Sequence, residues 1–216
     1  MSSSTYTVMV DMDHTLIESV FPGDPRYNSS TGKIIHHDDP KHDFKVNIRP
    51  GAPDMIREIV SLGYIYILWS AGTYKYVHSV MTYFSEVAGV TPSKIYTRED
   101  MVPVETDRET ILGNKFKSNT YMGVNIDNLL IIEDDPTLVN PFEHGRIIKV
   151  RRWAFEMIHD KEMDVVISLL RLYSQTVPAF CTMANPSDDR VLRRCSTPHR
   201  SRNFHRSNGR YKLVSI

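Results

Sequence analysis

Short apolar runs recur along the chain, and each is followed at once by polar residues. Three of them, at residues 6–10, 64–69 and 129–133, are continuous rather than alternating, which is typical of strands buried on both faces of a sheet. Two shorter runs, at residues 94–97 and 147–150, predict two further strands. The pattern favours a parallel sheet over an antiparallel one.

Apolar residues at helical spacing predict three helices between and after these strands. The first covers residues 52–62 and ends at Gly63, the second runs from Thr73 as its N-cap to about residue 84, and the third covers residues 161–173. A capping threonine and a terminal glycine are ordinary helix boundaries. Strands alternating with helices predict an α/β fold of Rossmann-like type, a parallel sheet with helices on both faces.

Between the first strand and the first helix the chain turns polar, over residues 21–43. This stretch contains three prolines and two glycines, which are turn and loop residues. We predict a short β flap insertion with a small hairpin around residues 33–36, and no large cap domain. Residues 98–121 are predicted to be irregular.

Composition adds a boundary near the end of the sequence. The chain has 216 residues, with 26 basic and 26 acidic side chains, enough for one compact domain. Residues 178–216 carry eight Lys or Arg and only two Asp, and few large apolar residues. We therefore predict a folded domain over residues 1–177 and a basic, disordered tail over residues 178–216. Contact with nucleic acid is expected only through that tail, if at all.

Cysteine content and hydropathy indicate the compartment. Cys181 and Cys195 are the only cysteines, too few for a disulfide framework or a zinc site. No apolar stretch reaches the ~20 residues that span a bilayer, and the first residues lack the basic start of a signal peptide. We expect an intracellular protein, nuclear or cytoplasmic, without a membrane partner.

Polar side chains follow three of the predicted strands at the point where each strand ends. Asp11 and Asp13 follow the first, Ser70 follows the second, and Asp134 and Asp135 follow the third. The carboxyl ends of parallel strands share one edge of the sheet, where ligands bind in open α/β folds. We therefore expect these side chains to converge.

This set of side chains suits phosphoryl transfer. One of two carboxylates spaced i, i+2 can attack phosphorus and form an aspartyl-phosphate, while the other acts as general acid and base. A second carboxylate pair would hold Mg²⁺, which prefers oxygen ligands. A hydroxyl and a lysine would bind the phosphoryl oxygens, with Ser70 as the hydroxyl and Lys115 or Lys117 as the lysine.

Each feature alone has an ordinary structural explanation. A D-x-D-x-T string arises by chance in roughly a few per cent of chains of this length, and aspartate after a strand is a common turn former. An isolated lysine is almost always solvated surface. The shared placement at strand ends favours the catalytic interpretation over these separate ones.

Several segments then resemble one family. VMVDMDHTL resembles motif I of the haloacid dehalogenase superfamily. IRPGA followed by a helix, LWSAGTYKYV, IYTRED and LLIIEDDP resemble elements of the FCP/SCP group, the phosphatases of the RNA polymerase II carboxy-terminal domain, also called NLI-interacting-factor-like phosphatases. The similarity covers residues 5–173. The compact chain also resembles versions carried by large DNA viruses.

The resemblance implies a role for each matching residue. Asp11 would be the nucleophile and a metal ligand, and Asp13 the acid/base whose backbone carbonyl also meets Mg²⁺. Ser70 would bind phosphate, and Asp134 and Asp135 would complete the metal site. The implied function is a Mg²⁺-dependent protein Ser/Thr phosphatase acting on a phosphorylated protein or peptide.

The phosphate-binding lysine departs from the family pattern. Family members place Lys-Asp about sixteen residues before the metal-site aspartate. Here Lys117 precedes Asp134 by seventeen residues and is followed by Ser118, and Lys115 precedes Asp134 by nineteen. We favour Lys117 and retain Lys115 as the alternative.

Two other functions remain open from the residues alone. The same site would serve a small-molecule or nucleic-acid-end phosphatase, and a non-catalytic phosphopeptide-binding module is the third possibility. The intact carboxylates argue against the module. The histidine-rich segment at residues 36–43 is interpreted as a polar loop. The other interpretation is that it lines the substrate groove.

Overall fold

The computed structural model describes residues 6–37, 39–103, 115–182, 202–207 and 210–215. In this part of the chain, 12 strands and three α-helices occur. The helices are α1 (Ala52–Ser61), α2 (Tyr74–Ala88) and α3 (Glu162–Thr182). The strands are β1 (Thr7–Val10), β2 (Ile17–Val20), β3 (Lys33–Ile35), β4 (Phe44–Ile48), β5 (Ile65–Trp69), β6 (Lys94–Tyr96), β7 (Val102–Pro103), β8 (Lys115–Phe116), β9 (Leu129–Glu133), β10 (Ile147–Lys149), β11 (Arg202–Ser207) and β12 (Arg210–Ser215).

A five-stranded parallel sheet forms the centre of the molecule, in the order β10-β9-β1-β5-β6. β1 is the middle strand, and Val10 pairs with Leu68 on one side and Ile132 on the other. The residues after these three positions therefore meet at one edge of the sheet. The predicted α/β class, parallel sheet and strand positions are confirmed.

All three α-helices pack on one face of this sheet. That face presents alternate strand residues such as Val8, Val10 and Leu68, which join one buried cluster with side chains of every helix. The alternation follows from the pleat, because neighbouring residues of a strand point to opposite faces. The helical contribution to the cluster is Met55, Ile56, Ile59, Val77, Val80, Met81, Phe84, Met163, Val166 and Leu170.

The opposite face carries a smaller buried cluster around Met9, Trp69 and Ile131. In the described residues it is covered by Met122, Val124 and Val139, which lie between β8 and β10 among short 3-10 helices. Within the described chain, this face is thus covered by loops and 3-10 helices rather than by α-helices. The apolar runs predicted burial on both faces, but burial needs only an apolar cover and not a helical one.

The flap is a separate three-stranded antiparallel sheet in the order β2-β4-β3. β3 matches the predicted hairpin near residues 33–36, but its partner β4 and the opposite strand β2 lie outside the polar stretch that predicted the flap. No large cap domain occurs in the described ranges. The flap follows directly after the Asp11–Asp13 segment and stays beside it, because Asp13 bridges to Ile17.

A buried ion pair ties the flap to the end of the domain. Arg49 lies between β4 and α1 and is fully buried, and its Nε donates to Asp160 at 2.5 Å. Its Nη1 also donates to the carbonyl of Thr15 at 3.3 Å. One guanidinium therefore holds together the loop after β1, the start of α1 and the segment before α3.

The end of the chain contains more regular structure than composition predicts. α3 continues to Thr182, past the predicted boundary at residue 177, and β11 pairs with β12 as an antiparallel hairpin. The rest of the predicted tail, with Cys195, lies outside the described residues, so disorder there stays a prediction. Within the described chain, no helix has the length and apolar character needed to cross a membrane.

Candidate active site

Asp11 stands at the carboxyl edge of the central sheet. Its backbone NH donates to the carbonyl of Ile132 at 3.0 Å, which continues the pairing of β1 with β9 by one residue. The side chain is 5% exposed. Because the strands stay in register, the residue after Ile132, Glu133, is the direct neighbour of Asp11.

Three carboxylates gather at this point, from Asp11, Glu133 and Asp134. Each offers an oxygen, and the three oxygens lie within 4.8 Å of one another. Thr15 donates its hydroxyl to Asp134 at 3.1 Å and holds that carboxylate in place. Only this group among the described residues brings three potential metal ligands so close together.

Lys117 is enclosed between two of these carboxylates. Its Nζ lies 2.5 Å from Asp11 Oδ1 and 2.7 Å from Glu133 Oε2, and the side chain is fully buried. Burial alone would lower the pKa of Lys117, but the charges of Asp11 and Glu133 outweigh it and raise the pKa above its ordinary value. The site therefore holds a permanent cation.

Backbone pairing explains how a lysine from an irregular segment reaches the sheet. The NH of Lys117 donates to the carbonyl of Leu138, and its carbonyl accepts from the NH of Asn140, both at 2.8 Å. Lys115, the alternative lysine, is exposed on β8 opposite Pro103. The structure places Lys117 in the site and Lys115 outside it.

The carboxylates carry more negative charge than Lys117 can balance. Burial and the charge of Asp11 raise the pKa of Asp134 to about 6 and that of Glu133 well above its ordinary value. Such shifts mark charge repulsion in a poorly solvated place. A divalent cation bound by oxygen ligands would relieve that repulsion, so the residues present fit Mg²⁺.

Asp13 lies next to this cluster but is held by hydroxyl groups. Tyr76 donates its hydroxyl to Asp13 Oδ1, and Ser70 donates to Oδ2 at 3.2 Å. Burial raises the pKa of Asp13 to about 6, partly offset by the hydrogen bond from Tyr76. With a pKa of about 6, the Asp13 carboxyl can exchange a proton close to neutral pH.

Ser70 is found where the sequence predicts, directly after β5. Its hydroxyl is buried and accepts the backbone NH of Gly72 at 2.9 Å while donating to Asp13. The predicted convergence of residues after β1, β5 and β9 is therefore present in the structure. Ser70 also supports Asp13, a contact that spacing alone does not reveal.

Asp135 also lines the pocket, but its carboxylate is used in a helix cap and not in the carboxylate cluster. Its carboxylate accepts the NH of Thr137 at 3.1 Å and the hydroxyl of Thr137 at 2.6 Å, and so caps the 3-10 helix Pro136–Leu138. The third member of the carboxylate cluster is Glu133 instead. The spacing could have found it, since Lys117 precedes Glu133 by 16 residues, the separation expected before the metal-site carboxylate.

A second buried carboxylate, Glu143, shapes the turn after Lys117. It accepts both the backbone NH and the side-chain amide of Asn119, at 3.1 and 3.0 Å, and the NH and hydroxyl of Thr120, both at 2.8 Å. Asn140 donates to Ser118 in the same turn, at 2.9 Å. These bonds fix the backbone on which Lys117 is mounted, and no motif in the sequence pointed to Glu143.

The catalytic groups open into a pocket of about 540 Å³. Its floor is acidic, with Asp11, Asp13 and Asp134 among the lining residues, whereas Arg98 and Arg152 line its wall. Arg98 is steadied by donating its Nε to the carbonyl of Ala71 at 2.7 Å. The arginines could attract a phosphate to a pocket whose floor is otherwise negative, and the motif comparison did not assign them a role.

The fold is a parallel α/β sheet with clustered carboxylates and a buried lysine at the end of its middle strand. A family model described as NLI interacting factor-like phosphatase matches residues 6–180. The chain belongs to that family, which is one of phosphatases.

Solved structures agree on the fold. The chain is similar to a structure of Fcp1, described as an essential RNA polymerase II CTD phosphatase, at 16% identity and a TM-score of 0.52. The match covers 88% of this chain and 60% of that one. Two further structures are less similar. A fission yeast Fcp1 bound to beryllium fluoride has 16% identity and a TM-score of 0.48, and the match covers 88% of this chain and 60% of that one. A hypothetical protein from Xanthomonas campestris has 13% identity and a TM-score of 0.40, and the match covers 84% of this chain and 90% of that one. A search of curated protein sequences gave no significant match.

Proposed function

We propose that this protein is a Mg²⁺-dependent phosphomonoester hydrolase that works through an aspartyl-phosphate on Asp11. One observation carries the proposal. Asp11 meets a buried lysine and two further carboxylates at the end of the middle strand, and Asp13, two residues on, has a raised pKa and faces the same pocket.

In the first step a carboxylate oxygen of Asp11 attacks phosphorus. The bond between phosphorus and the ester oxygen breaks, and the leaving oxygen takes the proton of Asp13. In the second step water attacks phosphorus, gives a proton to the Asp13 carboxylate, and the bond to Asp11 breaks. Phosphate is released, and both carboxyl groups return to their starting states.

The pocket also needs groups that accept the charge of the phosphoryl oxygens. Lys117 has three donors, and two of them already bond Asp11 and Glu133. The remaining donor can bind an equatorial oxygen, and the Ser70 hydroxyl is the second candidate once it turns from Asp13 to the phosphate. Preorganised donors of this kind stabilise charge that spreads over the oxygens in the transition state.

The metal would be held by Asp11, Glu133 and Asp134, together with the backbone carbonyl of Asp13. When bound, Mg²⁺ neutralises part of the carboxylate charge and of the phosphate, so that an anionic nucleophile and an anionic substrate can approach. Asp135 leaves the proposed ligand set because its carboxylate caps the helix that follows.

We propose a polypeptide substrate carrying phosphoserine or phosphothreonine. The pocket lies at an open edge, and the small flap of β2, β3 and β4 stands beside it. An extended peptide therefore has access. The similarity to Fcp1 makes the carboxy-terminal domain of RNA polymerase II the first substrate to test, although this chain spans only 60% of the Fcp1 chain.

The test compares wild type with Asp11→Asn on an aryl phosphate, with Mg²⁺ and after complete chelation. The proposal expects hydrolysis only by the wild-type enzyme with metal. Activity that survives either the substitution or chelation contradicts it. A panel of phosphopeptides, nucleotides and 3′-phosphorylated oligonucleotides then decides the substrate class, and faster turnover of the latter two would replace the polypeptide substrate.

A further inference from the structure

A second groove, of about 710 Å³, adjoins the catalytic pocket. The two share Phe21, Thr73 and Tyr76 as lining residues. Tyr76 donates its hydroxyl to Asp13, so the groove begins beside the residue proposed to carry the catalytic proton. A chain bound in the catalytic pocket can therefore continue directly into this groove.

The charges that line the groove are opposite to those of the catalytic floor. Among the described residues, no aspartate or glutamate lines the groove, whereas the catalytic pocket is lined by Asp11, Asp13, Glu133, Asp134 and Asp135. The groove instead presents six side chains that are cationic or can become so: His36, His37, Lys41, His42, Lys75 and His78. They come from two elements, the loop between β3 and β4 and the helix α2.

Two carboxylates of the described part of this loop, Asp39 and Asp43, are used within the loop itself. Asp43 accepts the ring of His36 at 2.8 Å and the NH of His37 at 2.7 Å. Asp39 accepts the NH of Lys41 at 3.0 Å. These bonds shape the loop, and both aspartates stay out of the groove lining.

Aromatic side chains form the walls next to the cations. Tyr74 is 59% exposed and stacks on His78, with ring centroids 4.0 Å apart. Phe21, at the junction with the catalytic pocket, is 48% exposed and stacks on Phe44 at 5.1 Å. Exposed aromatic surface of this kind is typical of a surface that binds a partner.

We propose that this groove binds an anionic residue of the same polypeptide, near the phosphoserine or phosphothreonine that the enzyme dephosphorylates. The ligand is an acidic side chain or a second phosphate group, and the inference rests on the proposed phosphatase function. Lys41 and Lys75 supply the permanent charge, and the histidines and Tyr74 supply hydrogen-bond donors.

A nucleic acid fits the groove less well. Binding of a polyanion relies on several neutralised phosphates, and two lysines provide few. Residues 1–177 also carry 24 acidic against 18 basic side chains, which repels a long anionic strand. A single acidic or phosphorylated residue beside the lysines avoids that repulsion.

The test uses the full chain and matched phosphoserine peptides that differ at flanking positions. Each peptide carries Glu, a second phosphoserine or neutral Ala at one flanking position. That position is varied on both sides of the phosphoserine that is dephosphorylated. The measured quantity is the ratio of kcat/KM for anionic over neutral peptides. From the strength of exposed ion pairs we expect a ratio of about fivefold at the best position, and it should shrink as salt is added.

The double variant Lys41→Ala/Lys75→Ala should bring this ratio close to one. Lys161→Ala is the matched control, because Lys161 is exposed and pairs with Asp164 of α3, away from the groove lining. This variant should keep the wild-type ratio. Using a ratio within each variant removes general effects on folding or turnover. The Glu and phosphoserine peptides distinguish an acidic side chain from a second phosphate.

Two results overturn the inference. One is a wild-type enzyme that hydrolyses the aryl phosphate but handles anionic and neutral peptides alike. The other is a preference that survives in the double variant. The wild-type enzyme could also turn over an oligonucleotide phosphate faster than the peptides. If the double variant loses that preference, the groove binds nucleic acid instead. A wild-type enzyme inactive on the aryl phosphate contradicts the proposed function itself.

Discussion

Glu133 and Asp11 lie side by side at the ends of neighbouring parallel strands, and one lysine nitrogen donates to both carboxylates. This arrangement places two acidic groups and a cation in a buried space. In the proposed metal site, Glu133, the last residue of β9, thereby takes the place of Asp135 beside Asp134. The proposed chemistry of the site depends on this pairing.

Replacement of Glu133 by glutamine should weaken magnesium binding. The amide keeps the shape but removes one of three clustered charges, and we expect the Mg²⁺ concentration for half-maximal activity to rise at least about tenfold. Titration of Mg²⁺ against activity, and calorimetric titration without substrate, both measure it. Asp135→Asn is the control: it weakens a helix cap by about 1 kcal/mol, but should leave the magnesium requirement as it is.

Replacement of Lys117 by methionine should impair both stability and activity. It leaves Asp11 and Glu133 buried without their common partner, which costs about 3–5 kcal/mol of unfolding free energy. Urea denaturation measures this loss, and kcat/KM should fall at least about a hundredfold. Lys115→Met removes a lysine two residues away at an exposed position. An equal effect of the two substitutions would contradict the assignment of Lys117.

Asp13→Asn should slow turnover by a factor that depends on the leaving group of the substrate. Loss of a general acid typically costs about 10²–10⁴-fold, and an alkoxide leaving from a phosphoserine peptide needs the proton more than an aryloxide does. We therefore expect a larger loss of kcat on the phosphopeptide than on the aryl phosphate. Equal losses on the two substrates would remove Asp13 from the role of proton donor.

The Arg49–Asp160 pair should make stability depend on pH in the acidic range. Burial alone would raise the pKa of Asp160, but the bond and charge of Arg49 outweigh it, so the pKa lies below its ordinary value of 3.8. The unfolded chain then binds the proton more readily than the folded one, and the stabilisation is present above pH 3.8 and lost as pH falls through the folded pKa.

Asp160→Asn tests this pair directly. Urea denaturation at neutral pH should show a loss of about 3–5 kcal/mol, because Arg49 is left buried without its partner. The difference in unfolding free energy between this variant and wild type should become smaller below pH 3.8. Glu58→Gln, which breaks an ion pair with the exposed Arg171, should cost less than about 1 kcal/mol. A constant difference at every pH would contradict the account.

The strands and the position of Asp11 could be predicted from the sequence because they depend on local patterns. A continuous apolar run followed by polar residues marks a buried strand and its end. The role of Glu133 could not be predicted in this way, since a glutamate at the end of an apolar run looks like the first polar residue after the strand. Its role depends on the register with β1 and on Lys117, which are properties of the folded sheet.

Other parts of the site come from segments without a periodic pattern. Lys117 reaches the sheet through backbone bonds to Leu138 and Asn140, and such pairings have no local sequence signal. Arg98 and Arg152 line the pocket from different loops, and their nearness is a tertiary property. The cover of the second sheet face likewise consists of loops whose apolar residues are too scattered to predict a position.

The phosphoenzyme on Asp11 is the central claim, and trapping it is the most direct test. The Asp13→Asn variant, mixed with the aryl phosphate and Mg²⁺ and quenched during turnover, should carry an acyl phosphate that borohydride reduces to homoserine. Peptide mapping by mass spectrometry should find homoserine at position 11 and nowhere else. Reduction at another carboxylate, or active enzyme that yields no reducible acyl phosphate, would contradict Asp11 as the nucleophile.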